Sequence, residues 1–263
     1  MLSTFAVQVL HYQSIEGWNS ESRSGALLSH LSDPAGTTPD FVRGVIDEFI
    51  AEDRALEPRP RPWFNRRRGH QPYQHHDYPV LWNTAALRSA ELLKELEAQV
   101  STARMCQLLE RYPGVAQPDA TGLSRVHNFI LGDIYTWAGE LRTIDLGRSG
   151  MHFASLHQIE HHLQIAGDAL RKSTEPRSDT AGALADFLAH LIWAQPFREG
   201  NGKTAVTMIL ALHPGLRLDR ISRRAWYAAS VASLPVTAST APDPQPWKML
   251  MQSTLPVPSD ALH

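Results

Sequence analysis

Two apolar helical stretches, Thr180 to Ala194 and Gly200 to Leu212, are joined by Gln195-Pro196-Phe197-Arg198-Glu199-Gly200-Asn201-Gly202-Lys203. This joint limits the fold more than any other segment. Pro196 ends the first helix, because its ring and missing N–H cannot continue one. Gly200 and Gly202 let the chain turn tightly, so successive backbone N–H groups converge on one point. The next helix presents its free N–H groups and positive dipole end there. The result is an anion nest suited to a phosphate or pyrophosphate, with Arg198, Gly200, Asn201, Gly202 and Lys203 as its binding residues. Glu199 would repel phosphate by itself, and fits better as a ligand to a divalent ion that bridges phosphate oxygens. Phe197 is grouped with the nest, although an aromatic ring between polar neighbours serves to anchor the loop in the core. A bare Gly-x-Gly would be read as a plain helical connection. The full string is far more specific.

The rest of the chain reads as mainly helical. Residues 1–57 alternate weak helical patterning with polar loops. Phe41, Val42, Val45, Ile46, Phe49 and Ile50 mark one amphipathic helix there, capped at Asp40. The alternating prolines and arginines of Pro58 to His70 form an extended linker. Helices are expected over Ala85–Leu109, Leu123–Trp137 and Ser155–Lys172, with shorter ones at Arg223–Ala229 and Trp247–Thr254. Between them, Arg142 to Phe153 places β-branched and apolar residues around Gly-Arg-Ser-Gly, the pattern of a hairpin.

Composition narrows the setting. The net charge of -2 gives no global pull toward nucleic acid or anionic membrane, so such binding would have to be local. Cys106 is the only cysteine, which rules out an intramolecular disulfide and suits a reducing compartment. No stretch approaches the roughly 20 apolar residues of a membrane helix, and the first ten residues have no basic flank of the signal-peptide kind. A cytoplasmic location is expected. The arginines of Arg59–Arg68 are better read as part of a solvated linker than as a nucleic-acid contact.

The loop resembles that of the Fic family, His-x-Phe-x-(Asp/Glu)-Gly-Asn-Gly-Arg-x-x-Arg. Ile134-Tyr135-Thr136-Trp137-Ala138-Gly139-Glu140-Leu141-Arg142 is similar to the stretch that leads into that family's flap, and Tyr78-Pro79-Val80-Leu81-Trp82-Asn83 to the segment that opens its domain. The resemblance implies a helical bundle with one β-hairpin flap over residues 71–254, an N-terminal extension over 1–70 and a tail over 255–263. It also implies transfer of a nucleotidyl group, most often AMP from ATP, to a protein hydroxyl. Glu199 would then hold Mg²⁺ on the phosphates. The flap, through Thr143, Ile144, Asp145 and Arg148, would pair with an extended segment of a target protein.

Three positions depart from the pattern. Gln195 replaces the catalytic histidine, and a carboxamide cannot accept the hydroxyl proton, although it can orient the hydroxyl. Lys203 replaces the first arginine, keeping the charge but losing the two-pronged contact. Val206 stands where the second arginine would hold outer phosphates and would meet the glutamate of an inhibitory helix. Glu16-Gly17, with Tyr12 at the hydroxyl position, matches the inhibitory motif only inexactly.

Among the histidines, His152 on the flap is the first candidate for a substitute base, ahead of His127 and His190. Each has a simpler reading as a structural or surface histidine. His157, Glu160 and His161 have helical i,i+4 spacing compatible with zinc, but a solvated face accounts for them more simply. Three readings stay open: a nucleotidyl transferase with altered proton transfer, an inactive nucleotide- or protein-binding relative, and a pocket repurposed for a small molecule.

Overall fold

The computed structural model describes residues 2–18, 25–31, 38–60, 72–148, 151–236 and 240–256. Among them, the elements in chain order are α1 (Thr4–Ile15), α2 (Gly25–Leu31), α3 (Pro39–Leu56), α4 (Ala90–Arg111), α5 (Ala120–Leu131), β1 (Gly147–Arg148), β2 (Met151–His152), α6 (Ile159–Ser173), α7 (Thr180–Ala194), α8 (Asn201–Leu212), α9 (Arg223–Ala232) and α10 (Gln245–Thr254). The fold is mainly α, as expected. β1 and β2 pair antiparallel, with Gly147 opposite His152 and Arg148 opposite Met151. No helix among the described residues is long and apolar enough to cross a membrane.

α7 forms the centre. Leu184, Phe187, Leu188 and Leu191 are wholly buried on it, and α6 and α10 pack along its sides. Its start is capped by Asp179, whose carboxylate accepts from the Gly182 N–H at 3.0 Å. α5 and α4 both pack against α8.

Two of the helices that differ from their expected spans do so for identifiable reasons. α4 starts at Ala90 rather than Ala85, because Asp53 of α3 accepts from the Arg88 and Ser89 N–H groups at 3.0 and 2.8 Å and fixes a non-helical entry. Ser89 then caps the helix. α5 stops at Leu131. Ile134, Tyr135 and Trp137 keep a helix-like apolar spacing, but they are buried from a series of turns instead.

α1 is the element least visible in the sequence. It is buried through Ala6, Val9 and Tyr12, but also through Gln8 and Gln13. Those amides meet tertiary partners: Gln8 Oε1 accepts from Leu218 N at 2.8 Å, and Gln13 Nε2 donates to Ser101 Oγ at 3.2 Å. Polar residues facing inward erase the periodicity that marks an amphipathic helix. The helix is thereby held against α4 and α9, with its C-terminal end aimed at the start of α8.

Candidate functional site

The Gln195–Lys203 loop adopts the conformation its residues require. Gln195 caps α7 in the left-handed region at φ 40°, and its N–H reaches Leu191 O at 2.9 Å. A non-glycine residue there carries backbone strain, so the surroundings must hold it. Arg142 does much of this. Its buried guanidinium donates to Gln195 O at 2.8 Å, to Ile144 O at 2.6 Å, to Ala194 O at 3.2 Å and to Ala154 O. Arg142 N also donates to Pro196 O at 2.8 Å. One side chain thus ties both ends of the flap to the start of the loop.

The carboxamides of Gln195 and Asn201 complete the bracing. Gln195 Nε2 donates to Ile192 O at 3.1 Å, and its Oε1 accepts from Asn201 Nδ2 at 3.0 Å. Asn201 Oδ1 accepts from Phe197 N at 3.0 Å, while Nδ2 also donates to Phe197 O at 2.9 Å. Gln195 is therefore a structural amide whose donor and acceptor are both engaged. Phe197, grouped with the phosphate-binding residues on sequence grounds, is wholly buried and stacks on His127 at 3.9 Å between ring centroids. It anchors the loop and does not line the cleft.

His127, weighed as a substitute base, is a strut beneath the loop. Its Nδ1 accepts from Gly139 N at 2.7 Å, so the proton sits on Nε2, which donates to Glu199 O at 2.8 Å. Burial, only partly opposed by the bond to Glu199, pushes its pKa down to about 4. The unfolded value is near 6.5, so in that window the unfolded chain binds more protons than the folded one. His127 therefore contributes stability above about pH 6.5 that is lost as pH falls toward 4, roughly 3 kcal/mol in full. Melting followed between pH 7 and pH 4.5 should show a falling Tm, and His127→Asn should flatten that acid limb. His190 is not at the loop either. Its Nδ1 lies 2.9 Å from Nδ1 of His162 on α6.

Above the loop is a cleft of about 530 Å³. Its floor is Arg198, Glu199, Gly200, Asn201, Gly202 and Lys203. One wall comes from the flap (Leu146, Gly147, Phe153), and the other from α9 (Trp226, Tyr227, Ser230, Val231). Gly200 has φ +79°, and a Cβ there would lie 2.3 Å from Leu131 Cδ1. The Arg198 Nε is buried and has no hydrogen-bond partner. The Arg148 and His152 side chains lie outside the described residues. Thr143, Ile144 and Asp145 lead into the flap, and Tyr73 Oη accepts from Thr143 N at 3.0 Å.

α1 closes the end of this cleft. A Cβ on Gly202 would lie 2.2 Å from Tyr12 Oη and 3.5 Å from Glu16 Oε1. Tyr12 Oη donates to Glu16 Oε1 at 2.7 Å, and Glu16 lines the cleft. The inexact Tyr12/Glu16-Gly17 match in the sequence thus lies directly on the nest, even though Val206 is buried and offers Glu16 no charge.

Lys203, expected to contact phosphate, has a different partner. Its Nζ lies 2.8 Å from Glu97 Oε1 on α4, and Tyr135 Oη donates to Glu97 Oε2 at 2.7 Å. Burial disfavours both charges, but their mutual attraction prevails: Glu97 is held below the usual carboxylate range and Lys203 above the usual ammonium range. Glu199 goes the other way. Its side chain meets the solvent of the cleft, yet it lies deep among protein atoms. That burial, with the Glu97 charge second, raises its carboxyl pKa. Its one hydrogen bond is a 3.3 Å contact from Gly200 N. A carboxylate so short of cationic partners suits a divalent ion held against phosphate. Among the described residues no group of three or more His, Cys, Asp or Glu is arranged to hold a metal, the His157/Glu160/His161 set included. An ion at Glu199 would take its other ligands from phosphate and water.

The chain is similar in sequence and fold to known proteins. Residues 117–212 match the model of the Fic/DOC family. The chain is 27% identical over 170 residues to protein adenylyltransferase VbhT of Bartonella schoenbuchensis, covering 62% of this chain and 35% of that protein. It is 26% identical over 174 residues to the probable protein adenylyltransferase Fic of Escherichia coli, covering 62% of this chain and 84% of that one. Among solved structures, the AMPPNP-bound BepC protein of Bartonella tribocorum superposes with a TM-score of 0.59 at 20% identity, over 72% of this chain and 98% of that one. This chain spans only about a third of VbhT.

Proposed function

We propose that this chain, which carries a Fic/DOC-family domain, binds a nucleotide by its phosphates at the Gly200–Lys203 nest and transfers AMP to a protein hydroxyl slowly or not at all. The observation that carries this reading is the state of Gln195: it occupies the position of the proton acceptor, and both ends of its carboxamide are engaged in bracing the loop.

In AMP transfer, the hydroxyl oxygen bonds to the α-phosphorus. The bond from that phosphorus to the β-bridging oxygen breaks, and pyrophosphate leaves. The hydroxyl proton must go to a base. Gln195 cannot take it, and a positioned base is worth about 10²–10⁴-fold. His127 is committed to the loop, and its proton points at a carbonyl. Binding needs none of this. Gly200, Asn201 and Gly202 supply backbone N–H groups at a helix start, and Arg198 supplies a guanidinium with an unpaired Nε. Glu199 would hold Mg²⁺, which neutralises phosphate charge and orients the donor when bound. The flap over Thr143–Asp145 and Arg148 remains the surface for an extended target segment.

Titration calorimetry of the full chain with ADP in magnesium buffer tests the binding half. Saturable one-to-one binding is expected, weakened about tenfold or more in Arg198→Gln by loss of a charge-assisted bond of roughly 1.5–3 kcal/mol. Unchanged affinity in Arg198→Gln would place the nucleotide elsewhere.

A further inference from the structure

Resting on that reading of the nest, we propose that the site binds a nucleotide carrying one or two phosphates in preference to a nucleoside triphosphate, and that Glu97 sets this limit by holding Lys203 away from the ligand.

The cations that face the cleft among its described lining residues are Arg198 and Lys203; the carboxylates are Glu16 and Glu199. Lys203 is the residue best placed by sequence to meet phosphate, since it lies in the first turn of the helix whose start forms the nest. Yet its ammonium is turned to Glu97, and both side chains are nearly buried, at 10% and 12% exposure. The pair is locked further by the Tyr135 bond to the second Glu97 oxygen. Breaking a buried pair leaves an uncompensated charge, so an incoming phosphate must compete with Glu97 for Lys203.

Lys203, Glu16 and Glu199 also line a second cavity of about 310 Å³, on the Glu97 side. They form the partition between the two spaces. With Lys203 neutralised by Glu97 and Glu199 taken up in holding Mg²⁺, Arg198 is the free cation among the described lining residues, and Glu16 is the carboxylate left without a counter-charge. The apolar Val206 adds no cation. Each further phosphate adds negative charge toward Glu16, which approaches within 3.5 Å of where a Gly202 side chain would begin. One or two phosphates can be met by the loop N–H groups and Arg198. A third has no cation left to meet it among the described lining residues.

The test is a set of titrations of the full chain with AMP, ADP and ATP in one magnesium buffer, for wild type, Glu97→Gln, Lys203→Met and the double variant. Glu97→Gln keeps the shape and the acceptor for Tyr135 but removes the charge. Wild type should bind ADP at least as tightly as ATP. Glu97→Gln should gain about tenfold or more for ATP and little for AMP. Adding Lys203→Met to Glu97→Gln should abolish that gain. Wild type preferring ATP over ADP by tenfold would overturn the inference without any variant, and leave the nest reading intact. So would an ATP gain in Glu97→Gln that survives loss of Lys203. If AMP, ADP and ATP all fail to bind wild type, the nest reading itself falls, and this inference with it. Should Glu97→Gln melt far below wild type, the wild-type ADP-to-ATP ratio decides alone.

Discussion

Gln195→His is expected to raise AMP transfer by about 10²–10⁴-fold over wild type, the contribution of a positioned general base. The substitution falls at the end of α7, where the backbone is already held in the left-handed region by Arg142 and by the Leu191 carbonyl. That scaffold does not depend on the Gln195 side chain alone. An imidazole can donate its ring N–H to Ile192 O in place of the carboxamide, which leaves its other nitrogen free to accept the hydroxyl proton. Transfer of label from α-phosphate-labelled ATP to protein, followed over time with wild type and variant side by side, reads the effect. Removing Glu16 together with Gln195→His should raise the rate further, since Glu16 crowds the phosphate end of the cleft. Equal labelling by wild type and Gln195→His would mean that proton transfer from the hydroxyl does not limit the chemistry.

The second large effect is structural. Arg142→Met should lower stability by about 3–5 kcal/mol, because four backbone carbonyls lose a charged donor while remaining buried or nearly so. For a chain of this size the corresponding fall in Tm is about 10 °C or more. The loss should not stop at melting. Arg142 ties Ile144 and Ala154, the two ends of the flap, to Ala194 and Gln195. Its removal should free the flap, and hydrogen exchange at residues 143–154 should quicken before the rest of the domain opens. Arg142→Lys should rescue little, since an ammonium cannot span four acceptors that a planar guanidinium reaches at once.

Much of this was legible in the sequence. The α7 helix and the turn at Pro196 follow from apolar spacing and one proline, and α8 from the glycines before it. The hairpin follows from the residues around Gly147. What stayed hidden was the identity of partners. Lys203 reads as a phosphate ligand until Glu97, far away on α4, is brought to 2.8 Å. His127 looks like any helical histidine until Gly139 and Glu199 are seen on its two nitrogens. Arg142 sits in the stretch that carries the family resemblance, but nothing local states that it spans the flap. α1 is the plainest case. Gln8, Tyr12 and Gln13 make its buried face polar, so a helix that closes the cleft looks like an irregular leader. In each case a local pattern gives the element, and a tertiary partner gives its task.

The central claim is that the nest binds a nucleotide which the chain does not efficiently pass on. It is tested most directly by measuring both quantities in one sample. Wild type should be titrated to saturation with α-labelled ATP and magnesium, with bound nucleotide and covalently labelled protein counted together over hours, beside Gln195→His. Saturable binding by both proteins is expected, with covalent label accumulating on target protein at least a hundredfold faster for the variant. Covalent label appearing at the same rate in both, or no saturable binding of either ATP or ADP by wild type, would contradict it.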